Sequence, residues 1–259
     1  MHRLFIYGYI GILLSIIHQA SAADSYTRFL LNELDNCAQK ISSALPITFQ
    51  SETYFMSHWI DEGSNVAPHG LNIHQFYRGY FTVDAFSVGY EYFQADFEHA
   101  HPHTLERGHT FFSEFSVGKI TLVPLWTYID IPHEYGDDSG ELGLAVSFDI
   151  PLNPSFMFNY DYDEVKGFYF EWSISHEFSI EKNGCALVYL TPSATMGLDA
   201  DKASENVTFT HIDFGLDATV PFYRSIMVSG FIHFTKGLRP SEGFESVVPW
   251  GGFALSLEL

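Results

Sequence analysis

Basic residues are scarce in this chain of 259: 12 lysines and arginines stand against 32 aspartates and glutamates, a formal charge of −20. Nucleic acid is thereby excluded as a partner, because phosphate binding needs a basic stripe and none exists. There are two cysteines, Cys37 and Cys185. An exported chain can pair them, but two isolated thiols do not make a disulfide framework. After residue 22 no apolar run is long enough for a membrane-spanning helix. What the chain has in plenty is aromatic side chains, 17% of all residues. An aromatic-rich exported chain without a second hydrophobic helix suits either a secreted β protein or a membrane β-barrel.

Export is read from the first 22 residues. Arg3 precedes an apolar run from Leu4 to Ile17, and Ala20-Ser21-Ala22 offers the small-x-small pattern of a cleavage site. Residues 1–22 are therefore expected to be a signal peptide cut near Ala22. Residues 23–45 follow a different rhythm: Tyr26, Phe29, Leu30, Leu34, Cys37, Ile41 and Leu45 recur at three and four, the spacing of a short amphipathic helix. It can lie under a barrel in the periplasm or enter the lumen as a plug, and a Cys37–Cys185 bridge would favour docking.

From residue 46 to 259 the period is two. In GFYFEWSISHEF (167–178), Phe168, Phe170, Trp172, Ile174 and Phe178 share one face, with His176 the single polar member of that set. ELGLAVSFDI, FMFNYDYD, IDFGLDATV and GGFALSLEL alternate in the same way. Their polar faces carry small residues and acids (Glu91, Glu114, Asp149, Asp161, Glu171, Asp213, Asp217 and Glu258), with lysine nearly absent. The outside of a soluble sandwich would mix in lysine, arginine and threonine. Small residues and acids suit the inside of a barrel.

Loop lengths sharpen the choice. Twelve strands are expected, at 46–57, 71–83, 86–95, 108–118, 120–132, 140–150, 155–162, 167–178, 185–195, 206–220, 222–235 and 249–259. Connections at 84–85, Lys119, 151–154, 179–184 and Pro221 are short. Those at 58–70, 96–107, 133–139, 196–205 and 236–248 are long and polar, and only 163–166 breaks the alternation. Sorting of loops by parity is the plan of an outer-membrane barrel. The expected fold is an all-β, transmembrane, antiparallel up-and-down barrel of about 12 strands in an outer membrane, with the short N-terminal helix beside it. Phe168, Phe170 and Trp172 would then mark the outer lipid interface and Phe178 the inner one.

The stretch from Thr110 to Phe178 resembles bacterial outer-membrane barrels of the TorF type, described as porins. The likeness rests on Glu114 in TFFSEFSVG, on Tyr160, Asp161 and Asp163 in LNPSFMFNYDYD, and on Gly167, Tyr169, Glu171 and His176 in GFYFEWSISHEF. It implies passive transport and insertion by the outer-membrane assembly machinery. Many such barrels end on an aromatic residue, whereas this chain ends on Leu259, with Phe253 the nearest aromatic in phase.

The acidic inner face is the main functional feature. Carboxylates in a narrow tube concentrate cations and repel anions, so the expected activity is weakly cation-selective passage of small polar or cationic solutes. Arg78 and Arg224 would oppose the acids across the lumen. The alternative is a non-conducting barrel whose exterior loops bind metal or a surface partner. For that role the sequence offers EHAHPH at 98–103: His99, His101 and His103, two apart on an extended segment, can chelate Zn, Cu or Ni, although the spacing is not that of a structural zinc site. Catalysis is not expected. A wall hydrolase needs serine beside histidine on the lipid face, and neither His176 nor His211, set opposite Phe231 by the assumed turn at Pro221, meets that need. Nor is a cofactor expected. A third reading, a soluble β protein with an apolar ligand inside, turns on whether the aromatic faces meet lipid or a core.

Overall fold

The computed structural model describes residues 47–61, 64–67, 70–97, 105–131, 138–163, 166–183, 185–200, 207–223, 225 to 238 and 247–259. The signal segment, the expected helix over 23–45 and Cys37 lie outside the described residues. Five elements form the first part of the wall: β1 (Ile47–Met56), β4 (Asn72–Val83), β5 (Phe86–Phe97), β6 (Leu105–Val117) and β7 (Ile120–Asp130). A small hairpin, β2 (Trp59–Asp61) with β3 (Ser64–Ala67), sits in the loop after β1. The wall continues through β8 (Ser139–Phe148), β9 (Ser155–Asp161), β10 (Phe168–Ser175) and β11 (Phe178–Lys182). It is completed by β12 (Cys185–Ala200), β13 (Thr208–Tyr223), β14 (Ile226–Gly237) and β15 (Val248–Glu258).

Every wall strand pairs antiparallel with its neighbours, and β10 pairs with both β9 and β12. The ring closes where β1 meets β15, from Gln50↔Glu258 to Met56↔Gly252. At that seam Phe49 and Leu259 also exchange backbone hydrogen bonds of 2.9 and 2.8 Å. β10 and β11 are one wall strand interrupted at His176 and Glu177, since both lie on β12. The result is a closed barrel of twelve strands, the fold expected from the alternation. Among the described residues there is no helix.

Closure with this phase turns a soluble protein inside out. Outward residues are large, apolar and uncovered: Phe111 is 53% exposed, Leu142 50%, Trp172 49% and Phe214 60%. Inward residues are polar and enclosed, Asp161 at 2% and Thr235 at 1%. An apolar belt running right round the molecule far exceeds what a soluble surface tolerates, and it is the surface a bilayer covers. Phe168, Phe170 and Trp172 all stand in this belt.

Cross-strand register builds the belt's edge at the long-loop end. Tyr77, Tyr92, His109 and Tyr128 are successive partners across β4, β5, β6 and β7, with ring centroids 6.4, 5.3 and 6.5 Å apart. Tyr90, Phe111 and Trp126 form the next row, and Trp126 Nε1 donates to Tyr162 Oη at 2.9 Å. Amphipathic rings at this level are the aromatic girdle of a membrane barrel. Toward the short-turn end stand Phe49, Phe86 against Phe115 at 5.0 Å, and Phe178.

The tight turns explain the sorting of loops. Asp84, Gly118 and Asn183 open the connections β4–β5, β6–β7 and β11–β12 with φ of 52°, 61° and 55°. Left-handed residues of this kind match a tight turn to the twist of its strands, and Asp, Gly and Asn are the types that accept them. Two expected turns are corrected. The segment from 179 is not a connection: β11 continues through it to Lys182. Pro221 is not at a turn but inside β13, which runs to Tyr223. Proline removes a ladder donor, and the register shifts beside it, between Pro221 and Tyr223. Beneath the β8–β9 turn, whose Leu152 carbonyl accepts from Ser175 N at 2.9 Å, β11 pairs, among the described strands, with β12 alone.

Two outcomes follow from a closed wall. The detergent-refolded mature chain should migrate faster on a gel unboiled than boiled; a single heat-independent band from protein soluble without detergent contradicts the fold. Gly252 faces inward at the seam, where an added Cβ would overlap the Phe55 carbonyl oxygen. Gly252→Val should therefore lower unfolding stability by about 1–3 kcal/mol or more, read from the urea midpoint of the unboiled band, while Gly118→Ala, whose Cβ meets nothing within 4 Å and whose cost is that of its left-handed φ alone, should cost less.

Candidate functional site: the lumen

On β13 and β14 the inward phase brings Asp213 and His233 together. His233 Nδ1 donates to Asp213 Oδ1 at 2.7 Å, and its Nε2 lies 3.9 Å from Asp217 Oδ2. Thr235 donates to the other oxygen of Asp213, and Trp250 Nε1 donates to Thr235 Oγ1 at 2.8 Å. The Trp250 indole stacks on His233 with centroids 4.5 Å apart. Gly215 makes room for this. A Cβ there would run into the His233 ring, so the missing side chain lets the imidazole lean across β13. Asp213 is thus held by an imidazole and a hydroxyl of the adjacent strand, with Asp217 on the far side of the same imidazole.

A second group occupies β1, β4 and β5. Arg78 Nε donates to Glu91 Oε2 at 2.9 Å, Nη2 binds the same oxygen, and the guanidinium lies 5.5 Å from the centre of the Phe112 ring. Tyr54 Oη donates to Glu52 Oε2 at 3.0 Å. Rings fill much of the inner space at this level: Tyr54 packs edge-on to Phe76 at 5.7 Å and tilted to Phe231 at 6.2 Å, and Phe76 stacks on Phe93 at 5.9 Å. Between them lies a cavity of about 340 Å³, lined by Glu52, Tyr54, Met56, His74, Phe76, Arg78, Glu91 and Trp250. Ile60 of β2 also borders it.

The sequence-derived residues scatter along this interior. Glu91 is held by Arg78 on the adjacent strand, so Arg78 does not face the acids across the tube. Glu114 lies in the inward phase with Thr110 and Ser116, which bond Thr127 and Thr121 at 3.0 and 3.1 Å. Asp161 is buried, accepting from Ser139 Oγ at 2.7 Å and Asp163 N at 3.0 Å. Glu171 accepts from Tyr169 Oη at 3.2 Å. Glu258 accepts from Gln50 Nε2 at 2.8 Å at the short-turn end. Asp149 stands past the end of β8, exposed, with its N–H on the Lys119 carbonyl. Arg224 and the histidines His99, His101 and His103 lie outside the described residues. Cys185 is exposed with a free thiol. Among the described residues no group of three His, Cys, Asp or Glu side chains could hold a metal ion.

His211 is placed differently from expectation. Its partners are Gly197 and Gly237, and Asp217, not His211, faces Phe231. A bulge opposite Gly197 turns Thr210 inward beside His211, which already shares the phase of Asp213; the two share a 2.9 Å hydrogen bond and are buried. The sequence reading missed Glu52, Tyr54, His233, Thr235 and Trp250. The alternation of FIHFTKG could have found His233 and Thr235, but their juxtaposition with Asp213 depends on a turn three residues later than Pro221.

No family model matches the chain, and no curated protein does. Solved structures share its architecture. An outer-membrane channel from Pseudomonas putida F1 superposes with a TM-score of 0.55 at 8% identity, covering 83% of this chain and 96% of the channel. A bacterial polysaccharide outer-membrane secretin gives a TM-score of 0.52 at 10% identity, over 82% of this chain and 98% of its own. At such identities the likeness is one of fold: this chain is built as those barrels are.

Proposed function

We propose that the protein is a passive, weakly cation-selective channel of an outer membrane, of the porin-like kind to which the TorF-type resemblance points. One observation carries this. Glu52, Glu91, Glu114, Glu171, Asp213 and Asp217 are in the inward phase, while among the described wall residues Arg78 is the sole inward arginine or lysine. Arg78 is spent on Glu91 and His233 on Asp213, so the remaining field is negative. A negative field confined by a low-dielectric wall enriches cations and excludes anions. Small polar or cationic solutes are the fitting cargo.

Orientation follows from the loops: the short turns and the chain end near Leu259 face the periplasm, the long loops the exterior. Entry into the membrane falls to the outer-membrane assembly machinery. The inward rings favour one competing reading, a barrel that conducts nothing and acts through its exterior loops.

Reconstituted in a planar bilayer under a KCl gradient, the protein should pass K⁺ over Cl⁻ by a few-fold. Arg78→Ala should raise that ratio by releasing the Glu91 charge, and Asp217→Asn should lower it. Anion preference in the unmodified barrel overturns the selectivity, and absence of current in a folded, heat-modifiable barrel supports the competing reading.

A further inference from the structure

The lumenal cavity between β1, β4 and β15 has a composition that selects a ligand. We propose that it is a binding site for a small organic cation, a protonated amine or quaternary ammonium, seated against Glu52 and the rings of Tyr54, Phe76 and Trp250. The inference deepens the channel reading by naming a solute class, and it rests on that reading only for transport, not for binding.

The argument is an account of donors and acceptors. The strongest donors among these lining groups point at neighbouring acceptors in the wall. The Tyr54 hydroxyl donates to Glu52, the Trp250 indole N–H to Thr235, and the Arg78 guanidinium to Glu91. What stays open to a ligand is acceptor and ring face: the rest of the Glu52 carboxylate, which has no cation partner among the described residues, and aromatic surface. A neutral sugar pairs with a carboxylate less strongly than a cation does and gains less from the ring faces. An inorganic cation needs several converging oxygens, whereas most of this lining is carbon. A cation carrying alkyl groups satisfies both kinds of wall. Its charge meets the carboxylate and the negative faces of the rings, and its methylenes meet Met56 and the same rings. The cavity, at about 340 Å³, is within the range of small-molecule sites, and Asp217 lies beyond Trp250 and His233 to add to the local negative potential.

The test uses choline chloride as probe. The full mature chain, refolded in a polyoxyethylene detergent free of choline and sugar head groups, is titrated by calorimetry with choline, glucose and KCl. Choline should bind saturably. Glu52→Gln should weaken it on the order of tenfold, the loss expected for one charge contact in a partly desolvated site. Trp250→Leu should weaken it several-fold while Trp250→Phe keeps most of the affinity. Each variant is first shown to give the fast unboiled band. Choline binding that is absent from the unmodified barrel, or unchanged by Glu52→Gln, overturns the site, as does glucose binding in its place. Potassium current in the bilayer without choline binding sinks this inference alone. Choline binding without current leaves the site standing and removes the channel.

Discussion

Everything in this molecule depends on the ladder of backbone hydrogen bonds closing into a ring. A single strand exposes a row of N–H and C=O groups on each edge, and hydrocarbon offers them nothing. The only way to satisfy all of them with strands is to bring the last strand back to the first. Here that is the contact of β15 with β1, extended past the assigned strands by the exchange between Phe49 and Leu259. Two chain segments some two hundred positions apart thus hold one another in place. Gly252 at this junction has no side chain because the neighbouring carbonyl comes too near for one.

Once the ring is closed, the two faces of each strand live under different rules. Outward side chains need only be apolar, which is why long rows of Phe, Leu and Val stand there with aromatic edges. Inward side chains must find partners in a confined space. They do so across adjacent strands and not across the tube: Asp213 with His233 and Thr235, Glu91 with Arg78, Asp161 with Ser139, Thr219 with Ser229. Pairing between neighbours binds the wall laterally and leaves the middle to rings and to unpaired carboxylate.

The alternation made most of this fold legible beforehand. Period two fixes which residues share a face, so the belt of Phe168, Phe170 and Trp172 and the inward phase of Glu171, Asp213 and Asp217 could be read from the chain alone. Pairing could not be read so well, because register is set by turn position and by bulges. The connection expected at 179–184 began too early and Pro221 was not at a turn, and the second error displaced every partner along β13 and β14. The extra residue opposite Gly197, which swings Thr210 inward beside His211, leaves no trace in the hydrophobic pattern. Nor did the sequence reading single out Glu52 or Trp250, whose importance comes from standing on strands that meet only when the ring closes.

The short span of β11 has a geometric corollary. Among the described residues its five positions pair with β12 on one side alone, in a part of the wall where the β8–β9 hairpin stops early. Such an edge cannot sit in hydrocarbon, yet Phe178 and Ile180 on it point outward and are apolar. The boundary between acyl chains and head groups must therefore cross the barrel at about the level of Phe178, with the hydrogen-bonding edge below it in the hydrated zone. Because the opposite rim at Phe49 and Val117 carries paired strands, the same boundary is free to lie lower there. The barrel's hydrophobic height is unequal around its circumference, and a bilayer of uniform thickness would seat it with its axis inclined.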